Sequence, residues 1–124
     1  MIRLITCLKR RDDVTAAEFR RYWTDAAFDE LITRIVALTG AERCAKNLTL
    51  GVKANDLLMQ ERSLAEPFDG IIEFWWHDAA HFDDLFNSEE RKALMQEMRA
   101  YQRQFTDLSN SVSFFTESRG TCLA

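Results

Sequence analysis

Hydrophobic and polar residues alternate over positions 2–9. Ile2, Leu4, Thr6 and Leu8 fall on one side of an extended chain, and Arg3, Ile5, Cys7 and Lys9 on the other. That alternation predicts a strand. At Thr15 the spacing becomes helical. Thr15 and Glu18 stand in the S/T-x-x-E arrangement, in which hydroxyl and carboxylate each satisfy an early backbone N–H, and Phe19, Tyr22, Trp23 and Ala26 follow as an apolar stripe. The stripe then loses phase: its continuation would fall on the acidic Asp29 and Glu30, whereas the next apolar residues are Phe28, Leu31, Ile32, Ile35 and Leu38. Such a slip predicts a bend, a break or a change of packing partner between Asp25 and Phe28, a place that also suits a pocket rim. Gly40 supplies the stop, because glycine adopts the left-handed backbone found after helix ends.

Residues 42–52 alternate around Cys44, Asn47, Thr49 and Val52 and predict a second strand. The polar stretch 54–67, with Leu57, Leu58, Met59 and Leu64, is long for a plain loop and reads as a short helix or a covering segment. Phe68 to Trp76 is the clearest strand. Ile72, Phe74 and Trp76 point one way, and Asp69, Ile71, Glu73, Trp75 and His77 the other. A short helix is expected from Asp78. A longer one is capped by Ser88, carries Glu89 and Glu90 in its first turn, and buries Leu94, Met98, Tyr101 and Phe105. A last strand, with Val112, Phe114 and Phe115, runs near Ser109 to Glu117.

The order is β-α-β-β-α-β, a ferredoxin-like α+β arrangement with an antiparallel sheet and helices on one face. The other face would expose Ile5, Trp75 and Phe115, a large apolar area for a monomer. Two such faces packed symmetrically would cover it and leave a cavity in each subunit. The expectation is therefore a homodimer through the open sheet face, a dimeric α+β barrel, with the domain over 1–118 and a C-terminal tail over 119–124.

Composition narrows the class. A chain of 124 residues holds one core, and 47% hydrophobic with 29% charged residues is a folded rather than a disordered balance. Four glycines and one proline are too few for an all-β protein built on tight turns. The net charge is −4, and the basic run Lys9-Arg10-Arg11 is followed at once by Asp12-Asp13, so no nucleic-acid footprint is expected. No uncharged run nears the roughly 18–20 residues that span a bilayer, and the N-terminal apolar stretch is broken by Arg3, unlike a signal peptide. Cys7, Cys44 and Cys122 are unevenly spaced without a CxxC pair, which suits reduced thiols and a cytoplasmic location. Neither nucleic acid nor membrane is expected as a partner.

Several segments together resemble the EthD family: Leu8-Lys9-Arg10, the helix start from Thr15 to Trp23, Arg43 with Asn47, and Asp69-Gly70 with Glu73 and Trp75. The resemblance spans roughly residues 2 to 117, and the first-helix signature is its most specific part. It implies a dimeric α+β barrel tied to catabolism of organic compounds, in some members as an accessory component of an oxidoreductase. The wider superfamily includes lactone isomerases, polyketide cyclases, cofactor-free monooxygenases and haem-degrading enzymes, so the fold by itself decides little about activity. One departure stands out. Members commonly carry a His four residues after the Trp of the first helix, and here that position is Ala27.

Glu73 lies between apolar neighbours on the face assigned to the barrel interior, where desolvation opposes its charge and suits it to proton transfer; its structural alternative is an ion pair with Arg3, Lys9 or Arg43. His77, at the strand end, could replace the missing helix His as a proton-transfer group, or simply be a surface residue. His77 and His81 are four apart, but the strand ends between them, so no metal site is expected. Asn47 and Arg43 could orient polar groups of a ligand. Tyr22, Trp23, Trp75 and Trp76 offer flat apolar surface, of which at least half should be core. Cys7 reads as inert, with no histidine beside it in sequence. The chain has no phosphate loop, GxSxG elbow, HExxH helix or dinucleotide fingerprint, and no cofactor is expected. The expected function is binding of a small, largely apolar aromatic or carbonyl compound. The chain would act as a cofactor-independent oxidoreductase, cyclase or isomerase, or as a non-catalytic carrier, sensor or accessory protein. Haem held by His77 is the third reading.

Overall fold

The phase slip resolves into two helices that meet at Asp25: α1 (Ala16–Thr24) and α2 (Ala26–Thr39). The Asp25 N–H donates to the Tyr22 carbonyl at 3.4 Å, and its carboxylate accepts from the Ala27 N–H at 2.8 Å. One residue thus closes the first helix and caps the second. Thr15 and Glu18 form the reciprocal capping box, at 3.1 and 3.3 Å, and Gly40, at φ 69°, ends α2 in the left-handed conformation.

The computed structural model describes residues 1–120. Its strands are β1 (Ile2–Leu8), β2 (Arg43–Leu48), β3 (Gly70–Trp76) and β4 (Val112–Glu117). The remaining helices are α3 (Lys53–Arg62), α4 (Phe82–Phe86) and α5 (Glu89–Gln102), with a 3₁₀ turn over Leu108–Asn110. The strands form one antiparallel sheet in the order β2-β3-β1-β4, a ferredoxin-like α+β fold.

Boundaries differ from expectation at β2 and α4, and the 54–67 stretch takes the first of its two expected forms. β2 stops at Leu48, because after Thr49 donates to the Asp69 carbonyl the chain leaves the sheet for α3. The 54–67 stretch does hold a helix, yet α3 has no buried residue, and Leu57, Leu58 and Leu64 are exposed around it. α4 begins at Phe82 and not at Asp78, whose carboxylate instead accepts from the Ala80 N–H and holds a turn. Of the expected tail, residues 121–124 lie outside the described residues, and Cys122 with them.

Register decides the two faces. Leu4, Thr6 and Leu8 pair with Phe74, Ile72 and Gly70, and this side meets the helices. There Phe19, Trp23, Phe28 and Phe105 interlock at ring separations of 5.3–5.8 Å. The open face carries Arg3, Ile5 and Cys7, with Ile71, Glu73 and Trp75 beside them, flanked by Arg43 and Asn47 on β2. The expectation for β4 is corrected. Phe114 pairs with Ile5 and shares the open face, whereas Phe115 pairs with Leu4 and turns to the helix side. Two adjacent phenylalanines fit either phase of a two-residue period, so only pairing with β1 sets which one points inward.

Candidate functional site

Between the helix side of the sheet and α5 lies a cavity of about 510 Å³, within the range of small-molecule sites. Trp76, Phe74, Phe82, Phe86 and Phe115 supply its aromatic walls, and Ile35, Met95 and Met98 its aliphatic ones. The Trp76 indole is fixed because its N–H donates to the Thr39 carbonyl at 3.0 Å. Phe82 meets Trp76 edge-on at 5.3 Å, and Phe115 at 5.1 Å. The edge strand β4 and the short α4, with exposed Phe86 and Phe115, form the outer wall.

Most polar groups of the lining are occupied. Thr6 and Ser113 hydroxyls bond each other at 2.8 Å, Ser111 Oγ donates to the Asp107 carbonyl, and Thr39 Oγ1 donates to the Ile35 carbonyl. Gln102 differs. It is 9% exposed, its backbone carbonyl accepts from Thr106 Oγ1, and no hydrogen bond to a described residue uses its side-chain amide. An amide on the lining that is not engaged by a described residue is available to a ligand oxygen or a water. Arg91 and Arg99 complete the lining. The Arg91 guanidinium sits 4.2 Å from the Phe86 ring centroid, and burial lowers its pKa from the ordinary value. Neither arginine pairs with a carboxylate among the described residues. The lining contains no Asp, Glu, His, Lys or Cys among the described residues.

The residues singled out from the sequence lie elsewhere. Glu73, Trp75 and Arg43 do come together, but on the open face, together with Arg3. Arg3 reaches Glu73 at 3.6 Å, and the Arg3 and Arg43 guanidinium carbons stand 5.6 and 4.9 Å from the Trp75 ring centroid. Glu73 is thus placed in an ion pair with Arg3. Asn47 shares that face at the sheet edge. Trp23, 2% exposed and stacked on Phe19, is core, and Tyr22 stacks on Phe105 at 5.0 Å. The Tyr22 carbonyl accepts from the Tyr101 hydroxyl at 2.6 Å; that phenol is pushed up to about 12, mainly by burial. His77 is exposed, and His81 precedes α4, so the two do not share a helix. Among the described residues no group of three or more His, Cys, Asp or Glu is placed to hold a metal ion. The Cys7 thiol is buried and its pKa raised, by desolvation first and by the Glu73 charge second, which keeps it unreactive. Ala27 is exposed in the first turn of α2.

Of the aromatic residues singled out, Trp76 alone reaches the cavity. Sequence reasoning missed Arg91, Arg99 and Gln102. A signal was present: Arg91, Met95, Met98 and Gln102 recur at helical spacing, so polar residues enter an otherwise apolar stripe. Their common destination depends on where α5 crosses the sheet.

No helix among the described residues is long and apolar enough to cross a membrane. Fold and cavity define a ferredoxin-like α+β protein with room for a small molecule between sheet and helices. The EthD domain family model matches residues 11–109, and the chain belongs to that family. No curated protein matches the sequence. Among solved structures it is similar to a dimeric ferredoxin-like protein of unknown function from Bacteroides fragilis, with 14% identity and TM-score 0.58 over 94% of this chain and 95% of that one. An Arabidopsis thaliana protein is 7% identical with TM-score 0.60, over 99% and 100% of the two chains. An ethyl tert-butyl ether D family protein from Bacillus halodurans is 14% identical with TM-score 0.57, over 95% and 98%. At these identities the likeness is one of fold.

Proposed function

We propose that this EthD-family protein binds a small, largely apolar organic molecule in the cavity between its sheet and α5. The observation that carries this reading is the cavity itself, about 510 Å³ walled by the rings of Phe74, Trp76, Phe82, Phe86 and Phe115 with Arg91, Arg99 and Gln102 as polar groups of its lining. Apolar walls supply affinity, and a few polar groups fix orientation. The ligand class is an aromatic or carbonyl compound. Since no lining side chain is a base at neutral pH, any turnover would begin from a substrate that ionises readily, in the manner of a cofactor-independent oxidoreductase, cyclase or isomerase. Binding without turnover, as a carrier or accessory protein, uses the same contacts. The test is titration with the neutral fluorophore N-phenyl-1-naphthylamine. One probe per chain is expected to bind saturably, and Met95→Trp, which fills the cavity, is expected to abolish binding with the circular dichroism spectrum retained. Unchanged binding by Met95→Trp would place the ligand elsewhere. Glu73→Gln, on the opposite face, should leave the affinity within about twofold, as expected for a site that the residue does not touch.

The open face supports the second part of the proposal, a cytoplasmic homodimer. Ile5, Ile71, Trp75, Val112 and Phe114 form an apolar area, with Val112 and Phe114 exposed. In its midst Arg3 Nε is buried without a hydrogen-bond partner among the described residues. A second copy would cover the area and offer acceptors to Arg3. Trp75, flanked by two guanidinium groups, is the natural anchor of such an interface. Trp75→Ala is expected to weaken dimerisation about 30-fold or more by analytical ultracentrifugation, the size of an interface hot spot. A wild-type monomer at all concentrations would refute the pairing.

A further inference from the structure

We propose that the cavity selects anionic ligands, an aromatic carboxylate, phenolate or enolate whose charged end is received by Arg99 with Gln102 donating to an oxygen beside it, while Arg91 adds positive potential from the far end. The inference rests on the cavity being the binding site and adds the charge of what occupies it. Three observations lead to it. The chain as a whole is acidic, at −4, yet the cavity lining has two arginines and no acidic side chain among the described residues. A lining opposite in sign to the whole molecule is not a consequence of composition. Second, the arginines are uncommitted: the ion pairs of the described residues employ Arg3, Arg10, Arg11, Arg34 and Arg119, and none involves Arg91 or Arg99. Arg99 is exposed and Arg91 lies over the Phe86 ring, so both guanidinium groups stand ready to receive an anion, for which their planar donor fork is well suited. Third, Arg99 and Gln102 are three residues apart on α5, so they are neighbours on one helix face, one exposed at the rim and the other buried within.

The geometry orients the ligand. Its rings enter the aromatic walls, its charged end stays at the rim beside Arg99, and the buried amide contacts an oxygen further in. Arg91 closes the other end, its cation held against the Phe86 face. For an ionisable phenol or enol, the two cations favour the deprotonated form without any basic side chain in the lining.

The test compares isosteric probes, 2-naphthoate and neutral 2-naphthamide, by displacement of N-phenyl-1-naphthylamine from the intact protein. The wild type is expected to bind the carboxylate about tenfold or more tightly than the amide, the scale of one charge-assisted hydrogen bond. The Arg91→Gln, Arg99→Gln double variant should bring the two affinities together, read as the carboxylate-to-amide ratio within that variant. Gln102→Leu should weaken both naphthyl probes. Equal binding of the two probes by the wild type, or a preference that survives in the double variant, would overturn the anion assignment and leave the cavity reading standing. Failure of the cavity reading shows differently, as fluorophore binding insensitive to Met95→Trp.

Discussion

Phe28→Ala is expected to destabilise the protein by about 4 kcal/mol, near the top of the range for removing a buried aromatic ring. Phe28 is 0% exposed. Its ring meets Trp23 edge-on at 5.3 Å, Tyr101 at 5.2 Å and Phe105 at 5.8 Å, and the Lys46 ammonium lies 5.1 Å from its centroid. It is also the first buried residue after the joint at Asp25, so its loss leaves a void where two helices and α5 converge. Those neighbours are themselves rings held on three sides and cannot collapse far into the space, which is why the cavity cost should be close to its full size. A domain of this length has about 5–15 kcal/mol in total, so the loss would remove a large share of it. Equilibrium unfolding in urea measures the loss. Phe28→Leu, which keeps much of the volume, should cost less than half as much, and a loss below about 1 kcal/mol for Phe28→Ala would contradict the packing described here.

Gly70→Ala should cost about 3 kcal/mol although it adds one methyl group. A Cβ at Gly70 would fall on the six-membered ring of Trp23, 2.9 Å from Cζ2 and closer still to Cη2 and Cζ3. Nothing nearby can yield cheaply. Trp23 is stacked on Phe19 at 5.5 Å and braced by Phe28, while Gly70 lies in the β3 ladder opposite Leu8 and Leu48. The glycine is required by close approach of a ring to the backbone. Gly51→Ala makes the control, because nothing lies within 4 Å of its Cβ; it should change stability by less than about 0.5 kcal/mol. Coupling supplies the decisive measurement. Trp23→Leu should be destabilising alone yet relieve most of the Gly70→Ala penalty, and additive costs would mean that the two positions do not meet.

These two residues also show what could be read before the fold was known. Trp23 at helical spacing behind a capping box is legible as an apolar helix residue, but whether it faces a ligand or the core is not. The answer lies in a contact with Gly70, 47 positions along the chain. Glu73 and Trp75 were correctly read as sharing a strand face with Arg3, since alternation carries that information. Their side of the sheet is the open one, as the alternation indicated, and a second space, between the sheet and α5, lies on the other side. The face was legible; the location of empty space was not, because a cavity is what packing leaves unfilled. Gln102 illustrates the same limit. A glutamine in an apolar helical stripe is visible as an anomaly, but only the placement of α5 in the fold reveals that it lines the cavity.

The sequence by itself determined the four strands and their order with the main helices, the caps at Thr15, Ser88 and Gly40, and a slip of helical phase between Asp25 and Phe28. All of these follow from interactions within a few residues, whose geometry the backbone period sets. The tertiary structure decided which phenylalanine of β4 points inward, that α4 starts at Phe82, and that Arg91, Arg99, Gln102 and Trp76 line one cavity. Each of those depends on register and helix placement between segments far apart in the chain, and short-range periodicity carries no record of where distant surfaces meet.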